Sequence, residues 1–414
     1  MGWQVKRLGE VASVACGSGF PKKYQGKSSG KYPFFKVSDM NFTGNEIYMT
    51  HAANYVDVED LVTLKAKYHS AGTIVFPKVG GAIATNKKRL LTCDAFFDNN
   101  VMGVTPKTGL SSEFIYKFFL SLDLYDLSNK AALPSITGAT VQELKIPLPP
   151  IPEQQRIVAI LDQAFADIEK ARANAEQNLK NARELFDSYL QQVFSQWGDG
   201  WTTRMMSDKS LLQMVDGDRG HNYPKKSDFK DEGHCLFLST KNVRPNGFKF
   251  QDTVFISEER DNLLRKGRLK RNDVLITTRG TIGNLALFDD SVKYKNIRIN
   301  SGMLILRPNV SQILPSYLFE IMRSNIVKSQ VLAKTSGAAQ PQLPIQTLNT
   351  FSFPVPESLI EQKEMVLKLQ ELEKKASMLQ AVYLHKLDSL DELKKSLLQK
   401  AFSGELTKSK GIAA

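Results

Sequence analysis

The chain has 414 residues, 42% hydrophobic and 24% charged, enough for two to four domains with cores of their own. Three scattered cysteines, Cys16, Cys93 and Cys235, form no CxxC pair. They exclude a disulfide framework and a structural zinc site, and they fit a reducing compartment. No run of about 18 apolar residues exists, Met1-Gly-Trp-Gln-Val-Lys-Arg7 lacks the form of a signal peptide, and Gly2 stands in a poor myristoylation context. The expectation is a cytoplasmic protein with no membrane contact.

The net charge of +12 is unevenly spread. Residues 1–150 carry 17 basic and 12 acidic side chains, and residues 201–355 carry 23 and 14. Residues 151–200 carry 5 and 8, and residues 356–414 carry 10 and 9. A basic excess confined to two blocks favours a polyanionic partner, nucleic acid above all.

In chain order, a short segment from Trp3 leads through a Gly-rich turn to Pro21-Lys22-Lys23-Tyr24. Tyr32-Pro-Phe-Phe-Lys-Val-Ser-Asp39 reads as a strand that ends in polar residues, Gly72–Lys78 as a second strand, and Phe96–Val104 as a third. Ser112 to Leu120 has the spacing of a short helix capped by Ser111 or Ser112.

Next comes Leu144-Lys-Ile-Pro-Leu-Pro-Pro-Ile-Pro152, then Glu153-Gln154-Gln155-Arg156-Ile157. The proline ladder cannot be helix, because each proline fixes φ and biases its predecessor towards extended geometry. Pro152 suits the first turn of a helix, with Glu153 at its positive end. Apolar or small residues then recur at Ile157, Leu161, Ala164, Ile168, Ala171, Ala175, Ala182, Leu185 and Tyr189, with a polar skip at Asn178. That heptad stripe predicts a helix to Ser195 on the order of 60 Å long, which needs a partner of its own length.

The whole pattern returns about 200 residues later, and such repeats signal duplicated architecture. Trp201 answers Trp3, and Tyr223-Pro-Lys225-Lys226 answers Phe20-Pro-Lys22-Lys23. Phe237–Asn242 answers Phe34–Asp39, and Asp273–Gly280 answers Thr73–Gly80. Asn300-Ser-Gly-Met303 answers Asn99-Asn-Val-Met102, and Ser316–Ile321 answers Glu113–Phe118. Ser352-Phe-Pro-Val-Pro356 and Glu361-Gln362 then open a second stripe through Met365, Leu369, Leu372, Ala376, Leu379, Tyr383, Leu390, Leu393 and Leu397. Equal length and phase make the two helices natural partners, and the block between them favours an antiparallel pair.

The predicted fold class is α+β: two mixed domains separated by two long helices in an antiparallel coiled coil, with a pseudo-two-fold internal repeat. The expected boundaries are 1–150, the central helix 151–199, 200–355, the C-terminal helix 356–407 and a tail 408–414. Two long helices that merely dimerise between chains are the alternative.

Catalytic signatures are scarce. There is no Asn-Pro-Pro-aromatic element, no GxGxxG after a strand and no Gly-x-Ser-x-Gly elbow. Gly26-Lys27-Ser28 lacks the first glycine of a phosphate loop, and Glu361-Gln-Lys363 lacks the aspartate partner of a nuclease site. The histidines show no ligand spacing, and His51 and His69 read as loop or surface residues. No catalytic, cofactor or metal residue is therefore expected.

What remains is recognition chemistry. Lys22, Lys23, Lys225 and Lys226 suit phosphate contacts, which position a protein without specifying sequence, with a merely solvated turn as the alternative. Lys87, Lys88 and Arg89 form one dense basic run, and Arg265–Arg271 forms another. Lys36, Ser38, Asp39 and Asn41 follow one strand, as Lys241 and Asn242 follow its repeat, and Lys78 follows another. Such side chains can read base edges, with Arg279 and Arg298 the best candidates for guanine, although helix caps or core salt bridges could use these two arginines equally. Glu153, Gln154, Ile157, Leu161 and Leu185, with Glu361, Gln362, Leu369, Leu393 and Leu397, are the expected helix-pair and docking residues.

The array resembles the DNA-specificity subunit of Type I restriction–modification enzymes. The resemblance rests on Leu144-x-Ile-Pro-Leu-Pro-Pro-Ile-Pro-Glu-Gln154-x-x-Ile157, on Phe353-Pro-Val-Pro356 with Glu361-Gln362, and on the ending Leu397–Thr407. Gly138–Leu144 and the 337–342 segment also resemble the family's approach to its helices. The likeness covers the whole chain, and the double array in this order is specific. It departs where the first copy continues as Phe194-Ser-Gln-Trp-Gly198, and where Ser358-Leu-Ile360 precedes Glu361.

The resemblance implies two target-recognition domains, each reading one half of a bipartite target on double-stranded DNA. It implies a helix pair that sets the spacer and docks two modification subunits, which hold S-adenosylmethionine and the catalytic site. Restriction subunits, with ATP, Mg and the translocase and nuclease activities, would join them; this chain would hold no cofactor and would not be an enzyme. A coiled-coil DNA-binding scaffold without sequence specificity and an unrecognised DNA-modifying enzyme are the alternatives.

Overall fold

The computed structural model describes residues 3–107, 109–196, 198–245, 247–335 and 342–408. Trp197, most of the 337–342 segment and the tail beyond 408 lie outside the described residues. The chain divides into two compact units, Met1–Glu176 with His385–Ala414, and Gln177–Leu384. Each unit therefore holds part of both long helices.

Both units close in the same way. Gln4–Arg7 pairs antiparallel with Lys145–Leu148, and Trp201–Met205 pairs antiparallel with Ser352–Pro356. Lys145–Leu148 of the proline ladder is thus strand, placed on a two-stranded ribbon where a missing N–H is tolerated, and Ile151 and Pro152 already belong to the helix. From each ribbon the chain turns straight into a 45-residue helix, Ile151–Ser195 or Leu359–Ser403. At ~1.5 Å per residue each is about 68 Å long.

The first unit contains a five-stranded sheet in the order Ala12–Cys16, Val101–Pro106, Ile74–Pro77, Arg89–Leu91, Tyr48–Met49. A three-stranded sheet places Tyr32–Phe35 between Tyr55–Val56 and Phe96–Phe97. The second unit repeats this with Leu212–Asp216, Met303–Pro308, Asp273–Thr277 and Leu285–Phe288 in one sheet. Its three-stranded sheet places Cys235–Leu238 between Phe255–Ile256 and Ile297–Ile299. Each three-stranded sheet joins one antiparallel and one parallel pair, so the duplication extends to strand direction.

Glycine marks a close approach in both copies. A Cβ on Gly17 would lie 2.1 Å from the carbonyl oxygens of Phe97 and Asp98, and one on Gly217 would lie 2.3 Å from that of Asn300. No side chain fits there, which is why both copies place glycine just after the first sheet strand.

In the first unit Ile157, Leu161, Phe165 and Ile168 of the central helix join one core with Phe114, Phe119 and Ile146 of the domain and with Leu398 and Ala401 of the C-terminal helix. Arg172 pairs with Asp391, and Glu169 with Lys394 at 3.0 Å. Three residues back on one helix is three forward on the other, so the helices run antiparallel. In the second unit Leu190 and Phe194 share a core with Tyr317, Phe353, Met365, Val366 and Leu369. The helix seam and the domain core are continuous in each unit, so the domain is fastened to its helices by apolar burial.

Several expectations need correction. The strand expected over Tyr32–Asp39 ends at Phe35, and a 3-10 turn follows over Val37–Asn41. Phe96–Val104 is two strands in two different sheets, broken at Asp98. Ser112–Leu120 is helical with Ser111 as its cap, its Oγ accepting the Phe114 N–H at 3.1 Å. Along the long helices Leu185 is 42% exposed and Leu393 47%, so neither lies in the seam. Ala182 of the expected stripe is buried, but beyond the stripe so are Leu179, Leu190 and Phe194, with Phe186 partly so. Beyond Ala182 the buried positions advance by four, because the end of this helix follows the domain core, where Phe194 meets the Tyr317 ring edge-on.

Candidate nucleic-acid interface

Each unit gathers polar side chains around one turn between its two sheets. In the first unit this turn is Asp98–Asn100. The Asp98 N–H donates to the Phe35 carbonyl at 3.0 Å, which sets the turn beside the end of Tyr32–Phe35. Lys78 donates its N–H to the Asn100 carbonyl at 2.9 Å, and its own carbonyl accepts from Ile136. Burial raises the Asp98 carboxyl above its usual range, and the nearby Lys36 ammonium opposes that rise. Lys36 also reaches Gln25 at 3.3 Å, tying the exposed Lys22–Tyr24 turn to the same region. Lys87 donates to Asn41, and Arg89 to the Met40 carbonyl at 3.2 Å, so the 86–89 run lies against the Val37–Asn41 turn.

The second unit builds the same arrangement around Asn300–Gly302. Thr278 and Arg279 donate their N–H groups to the Gly302 carbonyl, at 2.8 and 3.3 Å. A Cβ on Gly302 would lie 2.9 Å from the Thr240 methyl, so the Thr240–Asn242 turn is adjacent, with Lys241 exposed on it. Arg219 pairs with Asp216 at 3.1 Å and reaches the Ser301 carbonyl at 3.5 Å. A notch of about 180 Å³ opens here, lined by Asp216, Arg219, Thr278, Arg279, Gln342 and Gln346. Arg219, Gln342 and Gln346 were missed in the sequence, since they lie outside the basic runs and only folding brings them to Arg279.

Four expected readers are structural. Arg298 is 4% exposed; its guanidinium pairs with buried Asp261 and donates to the carbonyls of Lys266, Asp261 and Leu264. Its donors are turned inward, away from any base. Asp39 is buried and caps its own turn, accepting the Lys36 N–H at 2.9 Å. Asn242 does the same for Ser239 at 2.9 Å and donates to the Lys249 and Gln251 carbonyls. Lys88 is buried, with its ammonium on Asn86 and the Leu122 carbonyl at 2.7 Å each; burial pushes it down to about 8. Lys22, Lys23, Ser38, Asn41, Lys225, Lys226, Lys241 and Arg279 are exposed, while Lys36, Lys78, Lys87 and Arg89 are half-buried. Lys225 and Lys226 lie on a turn capped by Asp228, which Arg260 holds at 2.9 Å.

Gln154, Gln362 and Glu361 also have structural roles. Gln154 is buried, accepting the Ser111 N–H at 3.2 Å and donating to the Pro149 carbonyl at 2.9 Å. Gln362 matches it on Leu314 and Pro356, both at 2.8 Å. Glu361 accepts the Trp201 indole N–H at 2.7 Å. Ile157, Leu161 and Leu369 are fully buried, and Leu397 packs on the first unit's core. His69, read as a loop or surface residue, is buried and stacked on Phe97 at 3.9 Å between ring centres.

A cavity of about 760 Å³ in the second unit runs between its helices and domain. Within it Arg323 pairs with Glu373 at 2.6 Å and Lys328 with Asp187 at 3.7 Å. Among the described residues no group of three or more His, Cys, Asp or Glu could hold a metal ion, and no helix is long and apolar enough to cross a membrane.

Fold and site together define a duplicated, two-domain protein whose long helices each carry a domain with a polar, cation-bearing turn. The model for the family described as "Type I restriction modification DNA specificity domain" matches residues 1–177 and 206–394, and the chain belongs to that family. It is 24% identical over 277 residues to the Type I restriction enzyme MjaIX specificity subunit of Methanocaldococcus jannaschii, covering 62% of this chain and 61% of that one. It is 23% identical over 300 residues to the EcoBI specificity subunit of Escherichia coli, covering 68% and 62%. The chain thus spans about three-fifths of the length of these relatives. A chain from a solved type I R-M system, studied for complex assembly and conformational transition, has the same fold, with a TM-score of 0.75 at 20% identity over 98% of both chains.

Proposed function

We propose that this chain is the DNA-specificity subunit of a Type I restriction–modification enzyme. Residues 1–150 and 200–355 each read one half of a bipartite target on double-stranded DNA. The paired helices set the distance between the halves and dock two modification subunits, and restriction subunits complete the complex in the cytoplasm. S-adenosylmethionine, ATP and Mg belong to those partners, and this chain supplies recognition.

One observation carries this reading: the same backbone turn is built twice and carries different side chains in its two copies. Lys78 and Val79 in the first unit stand where Thr278 and Arg279 stand in the second, before Gly80 and Gly280 at φ +73 and +71°. A duplicated scaffold with divergent contact residues suits two readers of unlike sequences. Exposed lysines around these turns suit the phosphate contacts that hold such a reader in register. The test is to co-express the chain with its modification subunit and map methylated adenines across the host genome. The expected result is a two-part motif with a fixed gap; methylation with no sequence preference would refute the reading.

A further inference from the structure

Arg279 and Gln342 oppose each other across an antiparallel bridge. Residues so opposed carry their side chains on one face, with Cβ atoms ~4.5–5.5 Å apart. Their backbones are held from behind. Arg279 donates its N–H to Gly302, and Leu343, next to Gln342, donates its own to the carbonyl of buried Thr278 at 3.0 Å. Their side chains are exposed, and among the described residues neither forms an ion pair or a hydrogen bond. They differ in this from Arg219, held by Asp216, and from Arg298, whose donors turn to buried carbonyls.

The notch they border, about 180 Å³, is smaller than the ~300 Å³ at which small-molecule sites begin. It suits the edge of a base presented from a groove. An arginine fork matches O6 and N7 of guanine, and a glutamine amide matches N6 and N7 of adenine. Successive bases on one strand rise by about 3.4 Å, a step that two long side chains rooted ~4.5–5.5 Å apart can span. Lys225, Lys226 and Lys241 have no such planar fork and suit phosphates instead.

Building on the function proposed above, we infer that Arg279 and Gln342 are the base-reading pair of the second unit, and that its half-target contains guanine and adenine at neighbouring positions. The first unit bridges Val79 to Ser135 at the matching place. Valine offers no bidentate contact, so the first half-target does not carry the same pair.

The test uses the full chain assembled with its modification subunit, mapping methylated motifs for wild type, Arg279→Ala, Gln342→Ala and Gln342→Glu, with folding checked by circular dichroism. Each alanine variant should lose roughly ten- to hundred-fold discrimination at one position of one half, leaving the other half and the gap unchanged. Gln342→Glu should move its position from adenine towards cytosine, whose N4 amine a carboxylate accepts. If wild type shows a two-part motif and all three variants keep it with undiminished discrimination, the pair is refuted while the specificity function stands. If wild type shows no two-part motif, both fail.

Discussion

Gln362 accepts the backbone N–H of Leu314 on its Oε1 at 2.8 Å. Its amide nitrogen donates to the carbonyls of Gln312 and Pro356, so one fully buried side chain joins the helix start, the closing ribbon and the cap of the Pro315–Arg323 helix. Gln154 repeats the bond to Ser111 in the first unit. The glutamine after the prolines therefore fastens each domain to its helix. Gln362→Leu leaves the Leu314 N–H and two carbonyls without their partner and should cost about 2–3 kcal/mol. Urea unfolding checks this; a loss below about 0.5 kcal/mol would mean the bond does not fasten the unit.

Arg298 gives a second prediction. Removing it leaves Asp261, fully buried, with Arg268 as its remaining arginine, and strips three carbonyls of their donor. Arg298→Ala should destabilise the second unit by about 3–5 kcal/mol. Differential scanning calorimetry separates this from a readout defect: a variant of unchanged stability with an altered half-target would return Arg298 to the base-reading set.

His69 makes part of the stability depend on pH. Burial pushes its imidazole down to about 4, with the Lys67 charge adding to the shift. The unfolded chain takes up this proton near pH 6.5, and the folded chain does so only near 4. The contribution is full above about 6.5 and is lost as pH falls towards 4, amounting to up to about 3 kcal/mol. His69→Phe keeps a ring beside Phe97 and removes the titration, so it should lose less stability than wild type between pH 7 and 4. Equal losses measured by denaturant midpoint would contradict the burial of a neutral histidine.

Much of this architecture was legible in the sequence, because duplication displays every signal twice. The ladder at Leu144–Pro152 and its partner at Ser352–Pro356 marked the ribbons and helix starts, since proline admits one backbone geometry. The Ser111 cap set the start of the Ser112 helix. The exposure of individual side chains was not legible. Arg298 lies within the Ile297–Ile299 strand and Arg279 just after Asp273–Thr277, yet one ends against buried Asp261 and the other on an open turn, a difference made by the distant Glu258–Leu263 helix. Asp39 and Asn242 look like base readers in sequence because a turn cap and a base contact require the same short polar side chain. Leu185 and Leu393 fit a strict heptad that the helices leave once the domain cores draw their faces round.

The exposed lysines carry a salt-dependent prediction. Lys22 and Lys225 occupy solvent-facing turns, so Lys22→Ala or Lys225→Ala should weaken binding to all DNA alike. Removing a single phosphate-neutralising ammonium should reduce the slope of log affinity against log salt by about 0.9. Titrations by fluorescence anisotropy of the assembled complex would decide; an unchanged slope would remove that turn from the interface.

The central claim is that one chain holds two independent readers on a shared pair of helices. The most direct measurement exchanges residues 1–150 for the corresponding block of another member of the family and maps the methylated motif of the resulting complex. One half of the motif should change to that of the donor, while the other half stays as it was. A change in both halves, or in neither, would contradict the account.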